Sequence, residues 1–375
     1  MGPTIAVRYI RIGLVPVVLA LAVAALASSA SARGTSARHD VRSAGRAKSA
    51  ALAYFTDPEY GTVKHPRFPT PQVWIASAKG QSRRDLGAGA EPLLSPNGRY
   101  VAAMAAKGNG MTVFSAGGGV LSKVPAVAGK LVSPLSWSAD SSMVAVSWSG
   151  SRKGKVTNGL DVIAVPSRKL VFSTTGIVEG ASFSPTAHDL AFVLANSSKL
   201  NATADLKELM LDRHTANLAN LITGKHLANP LWTRIGIIYD GITWRGLSSN
   251  PAYQLMDYRG GKITQLTHSH PSQLSSGLVP IAASHNGKRL IADWVGEDQD
   301  SAYAVTTSTG AAKPIMVKDQ VVSGYGISSS GNQLLIDYGG FEGPSNHARV
   351  ATIPFGGGSP TVLVKGGAEP SWPGQ

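Results

Sequence analysis

Asp240, Asp293 and Asp337 are the residues of this chain whose type and spacing come closest to chemistry. They follow the apolar runs Ile237-Ile238-Tyr239, Leu290-Ile291-Ala292 and Leu334-Leu335-Ile336, so carboxylates recur at corresponding places. If the fold gathers them at one mouth, they can hold a cation or the basic group of a ligand. Calcium is the ion such oxygen donors take, and no other cofactor is expected. The plainer reading is that each carboxylate accepts backbone hydrogen bonds where its strand ends. A second candidate metal site is His268-Ser269-His270, with His285 further on. Imidazoles two residues apart can ligate a transition metal, yet such a site takes a third protein ligand at a defined distance. No residue at nearby spacing supplies one, and loop histidines without a role are the plainer account. The chain has no H-E-x-x-H helix, G-x-S-x-G elbow or G-x-x-x-x-G-K-[ST] loop. It has no cysteine, which excludes a disulfide framework, thiolate chemistry and a lipid-anchored cysteine.

The elements that must position these residues are repeats. Ser95-Pro96-Asn97-Gly98, Ser138-Ala139-Asp140-Ser141, Ser184-Pro185-Thr186-Ala187, Ser284-His285-Asn286-Gly287 and Ser328-Ser329-Ser330-Gly331 are versions of one polar turn, with a shortened copy at Thr233. Their spacing of 43 to 51 residues is close to that of propeller blades. Six residues after each of the five serines stands an apolar residue, Val101, Val144, Leu190, Leu290 or Leu334. Apolar residues at successive positions fit strands covered on both faces. A short strand precedes each turn and two more follow the apolar run, giving four strands per repeat, the blade of a propeller. Ala202 to Ile222 is rich in helix formers such as Leu206, Lys207 and Glu208, but the repeat assigns it to the outer strands of a blade. Gly89-Ala90-Glu91-Pro92 reappears as Gly367-Ala368-Glu369-Pro370. The second copy supplies an inner strand without a blade behind it, while Ala51 to Leu86 supplies three strands without an inner partner. We therefore expect an all-β, seven-bladed propeller of four-stranded antiparallel blades, its last blade closed by N- and C-terminal strands, with six blades as the alternative.

Phrases such as Leu135-Ser136-Trp137-Ser138-Ala139-Asp140, Phe183-Ser184-Pro185 and Met256-Asp257-Tyr258-Arg259-Gly260-Gly261-Lys262-Ile263-Thr264-Gln265-Leu266-Thr267 resemble the WD-repeat-like blades of TolB-type propellers. The resemblance spans Ala51 to Trp372 and implies a binding propeller. Its copies depart from the family's usual Trp-Ser-Pro-Asp-Gly wording. Some seven-bladed lyases of acidic sugars resemble this repeat class and use metal-bound histidines. The alternative is therefore an extracytoplasmic carbohydrate-active lyase, or another metal-assisted enzyme, with its site at the channel mouth.

Strands are consumed by packing, so function is expected in loops. In a propeller, the loop between the second and third strands and the linker between blades emerge on one face. There the sequence places Tyr60, Arg67, Trp148, Arg152, Trp244, Arg245, Trp294 and Phe341, residue types enriched at binding hot spots. Loop aromatics that merely pack on neighbouring loops are the competing account.

Arg8 and Arg11, the apolar run Ile12 to Ala27 and Ala30-Ser31-Ala32 read as a signal peptide over 1–32. A flexible basic leader over 33–50 and a single propeller domain over 51–375 follow. Of the formal net charge of +13, the first 50 residues carry almost half. The expectation is a secreted or periplasmic, non-catalytic monomer that recognises a protein or envelope polymer through one loop face. Nucleic acid is not expected as a partner, nor is a stable membrane span after signal cleavage.

Overall fold

The computed structural model describes residues 50–374 apart from 57–69, 107–109, 126–129, 153–154, 198–201, 212–215, 244–251, 270–275, 297–300, 319 and 340–346. The signal peptide and leader expected over 1–50 therefore lie almost wholly outside the described residues. Every regular element described is a strand.

β1 (Leu52–Thr56), β2 (Gln72–Ala76) and β3 (Arg84–Ala88) are consecutive in one antiparallel sheet. β4 (Ala90–Leu94), β5 (Tyr100–Met104), β6 (Gly110–Ser115) and β7 (Val120–Pro125) form the next. A third holds β8 (Lys130–Trp137), β9 (Met143–Arg152), β10 (Lys155–Ala164) and β11 (Leu170–Thr175). A fourth holds β12 (Ile177–Phe183), β13 (Leu190–Ala195), β14 (Thr203–Leu211) and β15 (Ala216–Lys225). The described part of Ala202 to Ile222 thus falls mainly in the two strands β14 and β15, as the repeat requires.

β16 (Leu227–Trp232), β17 (Ile237–Thr243), β18 (Ala252–Arg259) and β19 (Lys262–Gln265) share an eight-stranded sheet with β20 (Ser276–Ala283), β21 (Arg289–Val295), β22 (Ser301–Thr306) and β23 (Ala311–Pro314). Its two antiparallel halves are joined only where β18 runs parallel to β20, at Ala252↔Ser276 and Tyr253↔Gly277. β24 (Val322–Ile327), β25 (Gln333–Tyr338), β26 (Arg349–Pro354) and β27 (Thr361–Lys365) form the last sheet. β28 (Gly367–Ser371) then pairs with β1, completing the first sheet in the order β28-β1-β2-β3.

The innermost strands touch in succession, β4 to β8, β12, β16, β20, β24, β28 and back to β4, so the ring closes. The core lies between successive sheets. Leu93, Ala102 and Val113 pack against Trp137, Val144 and Val146, for example, and all five apolar residues at the six-residue offset are fully buried. The turn phrase works through its serine. Ser138 Oγ donates to Asp140 Oδ1 at 2.7 Å and accepts the Met143 N–H at 2.9 Å; Ser284 does the same with Asn286 and Arg289.

A second serine position stitches sheets together. Ser136 Oγ accepts the N–H of Phe183, Ser182 Oγ that of Trp232, and Ser371 Oγ that of Leu94, each at 3.0 Å. The seam closed by β28 therefore uses the same bond as two uninterrupted seams. Each inner strand also carries one residue more than its partner near its middle, a bulge that re-aims the strand's inner half. At three bulges the residue before a proline takes a positive φ: Glu91 at 49°, Asn229 at 48° and Glu369 at 44°.

Candidate functional site

All pairings within the blades are antiparallel, so the turns between first and second strands and between third and fourth emerge at one end. The linkers between blades and the loops between second and third strands emerge at the other. Glu179 and Asn229 lie in the loop-end halves of β12 and β16, Asp240 lies in the loop-end half of β17, Tyr253 opens β18, and His226 occupies the linker from β15 to β16. These five residues come from two neighbouring sheets.

Asp240 is only 1% exposed. Its Oδ1 accepts from Asn229 Nδ2 at 2.9 Å, and its Oδ2 lies 3.6 Å from His226 Nε2. That nitrogen is buried and makes no hydrogen bond among the described residues. The imidazole meets the Tyr253 ring with centroids 5.3 Å apart. Backbone bonds hold His226 in place, its N–H donating to the Ala202 carbonyl at 2.9 Å, with φ at 42°, a conformation that a non-glycine residue adopts only when its surroundings impose it. Burial pushes the Glu179 carboxyl up to about 7; His226 pulls it down and Asp240 pushes it further up. Burial, with help from Asp240, pushes Tyr253 up to about 12. Near neutral pH the site therefore holds a carboxyl, Glu179, that takes up or releases a proton, beside the Asp240 side chain and an imidazole nitrogen that makes no hydrogen bond among the described residues. A basic ligand group entering here would favour ionised Glu179.

Asp293 and Asp337 occupy the matching places on β21 and β25 but reach across to the next inner strand. Asp293 Oδ1 accepts the Gly324 N–H on β24 at 2.9 Å, and Asp337 Oδ2 accepts the Glu369 N–H on β28 at 3.1 Å. Gly324 is required for this approach, since a Cβ there would stand 2.7 Å from Asp293 Oδ1. The three aspartates are thus equivalent by position, and each already accepts a hydrogen bond, Asp240 within its own sheet and Asp293 and Asp337 from the next. Among the described residues no three His, Asp or Glu are grouped to hold a metal ion.

Trp148 does not stand on the rim. Its indole lies buried over Gly159, where a Cβ would collide with the ring, and Nε1 donates to Asp161 Oδ1 at 3.0 Å. Trp294 packs on Tyr303 with ring centroids 5.9 Å apart, against a core cluster. Arg152 falls in β9; Tyr60, Arg67, Trp244, Arg245, Phe341 and His270 lie outside the described residues. His268 is exposed and shares a 3.1 Å hydrogen bond with Gln265. Buried Gln254 pins its linker, donating to the Ser269 carbonyl at 2.8 Å and accepting the Ser269 N–H at 2.7 Å. His285 sits in a turn at the opposite end, so the two histidines do not meet. Glu179, His226 and Tyr253 escaped the sequence reading. Glu179 and Asn229 do stand five and four residues ahead of their turn phrases, a shared position that could have drawn notice.

No family model matches the sequence, and no curated protein matches it. Solved structures do resemble the fold. The β-propeller domain of the Trilobed protease from Pyrococcus furiosus superposes with a TM-score of 0.59 at 14% identity, covering 84% of this chain and 97% of that one. The chain is a β-propeller. A puromycin-hydrolyzing peptidase of Mycobacterium tuberculosis gives a TM-score of 0.57 at 15% identity over 86% of this propeller and 54% of that chain, so the propeller spans about half of the peptidase's length. TolB from Acinetobacter baumannii gives 0.42 at 15% identity over 86% of this chain and 66% of that chain. At these identities the likeness concerns the fold.

Proposed function

We propose that this chain is an extracytoplasmic, non-catalytic binding propeller of TolB-like kind that recognises a protein or envelope polymer through its loop end. We take the two halves of the eight-stranded sheet as separate blades, seven in all, with the parallel contact of β18 and β20 as the only pairing between them among the described residues. The observation that carries it is the group formed by Glu179, His226 and Asp240, two carboxylates and an imidazole nitrogen that makes no hydrogen bond among the described residues, at the end from which the loops emerge. The ligand feature it fits is a basic group, an amine or guanidinium, set within a larger partner. Calcium fits less well, because Asp240, Asp293 and Asp337 each already accept a hydrogen bond within the wall.

Titration of the purified chain with lysine- and arginine-rich peptides, against acidic peptides of equal length, tests this reading. Basic peptides should bind preferentially, and Glu179→Gln with Asp240→Asn should weaken them by roughly ten- to a hundredfold, the worth of one or two charged hydrogen bonds. Equal binding by the double variant sinks the assignment, and a rise in melting temperature with millimolar calcium would put the ion in place of the organic cation. N-terminal sequencing of the exported chain should find Arg33 first.

A further inference from the structure

We propose that the turn end of the propeller docks on an anionic lipid surface. The turns of successive sheets are tied to one another: Asn97 N–H donates to Ser141 Oγ at 3.1 Å, Arg84 Nη1 to the Gly117 carbonyl at 2.9 Å, and His285 N–H to the Ser329 carbonyl at 3.0 Å. They present one continuous face rather than independent loops. Its exposed cations are distributed around the ring, with Lys79, Arg99, Lys169 and Lys288 each in a different blade's turn and Lys262 opening β19 in a further blade. Some of the carboxylates at this end are engaged, while Asp85, Asp189 and Glu208 also stand here. Asp140 is held by Ser138, by Ser142 and by His188 at 3.0 Å, and Asp257 by Arg259 at 2.8 Å. Glu91, Glu179, Asp240, Asp293, Asp337 and Glu369 all lie toward the opposite end. The turn end therefore carries an excess of exposed cations, whereas the loop end mixes its carboxylates with cations such as Lys318, Arg349 and Lys365.

Charge alone would suit any polyanion, and the exposed aliphatic side chains decide between sources. Val120, Leu170, Val171, Leu218, Ile263 and Val362 are all exposed, and all fall within the first three residues of an outermost strand, directly after its turn. Lys169-Leu170-Val171 and Lys262-Ile263 put cation and aliphatic side by side. A dissolved polymer needs only the cations. The boundary between headgroups and acyl chains takes both, apolar side chains dipping below phosphates that the lysines contact. No described helix is long and apolar enough to cross a membrane, and docking of this kind needs none.

Co-sedimentation of the full chain with vesicles tests the proposal, using phosphatidylcholine alone and phosphatidylcholine mixed with phosphatidylglycerol, at low salt and at about 0.15 M. The chain should sediment only with the anionic vesicles, and less at the higher salt. Lys169→Gln, Lys262→Gln and Lys288→Gln together should weaken binding on the order of a hundredfold, at about fivefold per lysine. Leu170→Ser with Ile263→Ser should weaken it about tenfold, and Glu179→Gln should leave it unchanged, which separates this face from the loop-end site. Absence of sedimentation with anionic vesicles at low salt would overturn the proposal, as would equal binding to neutral ones. Wild-type vesicle binding by the aliphatic double variant, with soluble polyphosphate as an effective competitor, would make the face a polyanion site instead.

Discussion

At the turn end of the propeller, polar side chains find partners within a few residues. Ser95, Ser138 and Ser284 each bridge to an Asn or Asp two residues on and to the N–H five residues on. At the loop end, partners come from other sheets or are sparse: Asp293 and Asp337 clamp the next inner strand, and His226 Nε2 makes no hydrogen bond among the described residues. One end is built on local turn bonds that are then cross-tied from turn to turn; the other is assembled at a distance and keeps unspent polar capacity. A propeller can therefore be rigid at one end and chemically responsive at the other while using the same strands throughout.

The harshest way to break this contrast is to remove β28, which serves both ends through Ser371 and through the Glu369 N–H held by Asp337. A chain ending before Gly367 should lose its cooperative thermal transition altogether, as followed by circular dichroism. A full-length-like melt would mean that the ring does not depend on its seam.

Two turn glycines separate sterics from conformation at the rigid end. Gly310→Ala would drive a Cβ into the Leu266 carbonyl at a φ of 68°, whereas Gly260→Ala at a φ of 55° meets nothing within 4 Å. The second should cost about 1–2 kcal/mol for the left-handed backbone alone, and the first clearly more, read from denaturant midpoints.

At the responsive end, Glu179 is the handle. Its unfolded carboxyl titrates near 4.5 and its folded one near 7, so the folded state holds the proton more tightly. The group's stabilising contribution is full below about pH 4.5, declines between 4.5 and 7, and is gone above. Glu179→Gln should therefore raise stability at pH 8, by at most about 3 kcal/mol, and leave it nearly unchanged at pH 4.5. Chemical unfolding at the two pH values checks this, and a pH-independent effect would remove the titrating role.

The smallest effects compare serines. Ser138→Ala, inside a turn, and Ser371→Ala, across the seam, each delete one accepted N–H bond and should cost about 1 kcal/mol. If Ser371→Ala costs far more, the seam is weaker than the uninterrupted joints it resembles.

The same contrast governs how much of the molecule could be read from its sequence. Turn-end bonds link residues two and five apart, so they leave a phrase that repeats, and the phrase located Val101, Val144, Leu190, Leu290 and Leu334 in the core. The seam was legible because Gly89-Ala90-Glu91-Pro92 and its second copy are neighbouring inner strands. The site was not, beyond Asp240. Glu179 and His226 stand 47 residues apart and come under each other's charge because β12 lies against β16. His226 belongs to a linker, which the repeat does not register. Trp148 misled because a tryptophan near a loop reads as a rim residue until Gly159 is found beneath it.

The seam has one more consequence. Ser371 on β28 lies opposite Ala53 on β1, where every other blade has a tight turn joining its first and second strands. A few residues of the Ser-Pro-Asn-Gly type would bridge that gap and leave a polypeptide circle, which could then be opened at any other turn to give a permuted chain with the same neighbours throughout. Every other sheet takes its strands in unbroken succession, so only the sheet β28-β1-β2-β3 borrows a strand from the far end of the strand order.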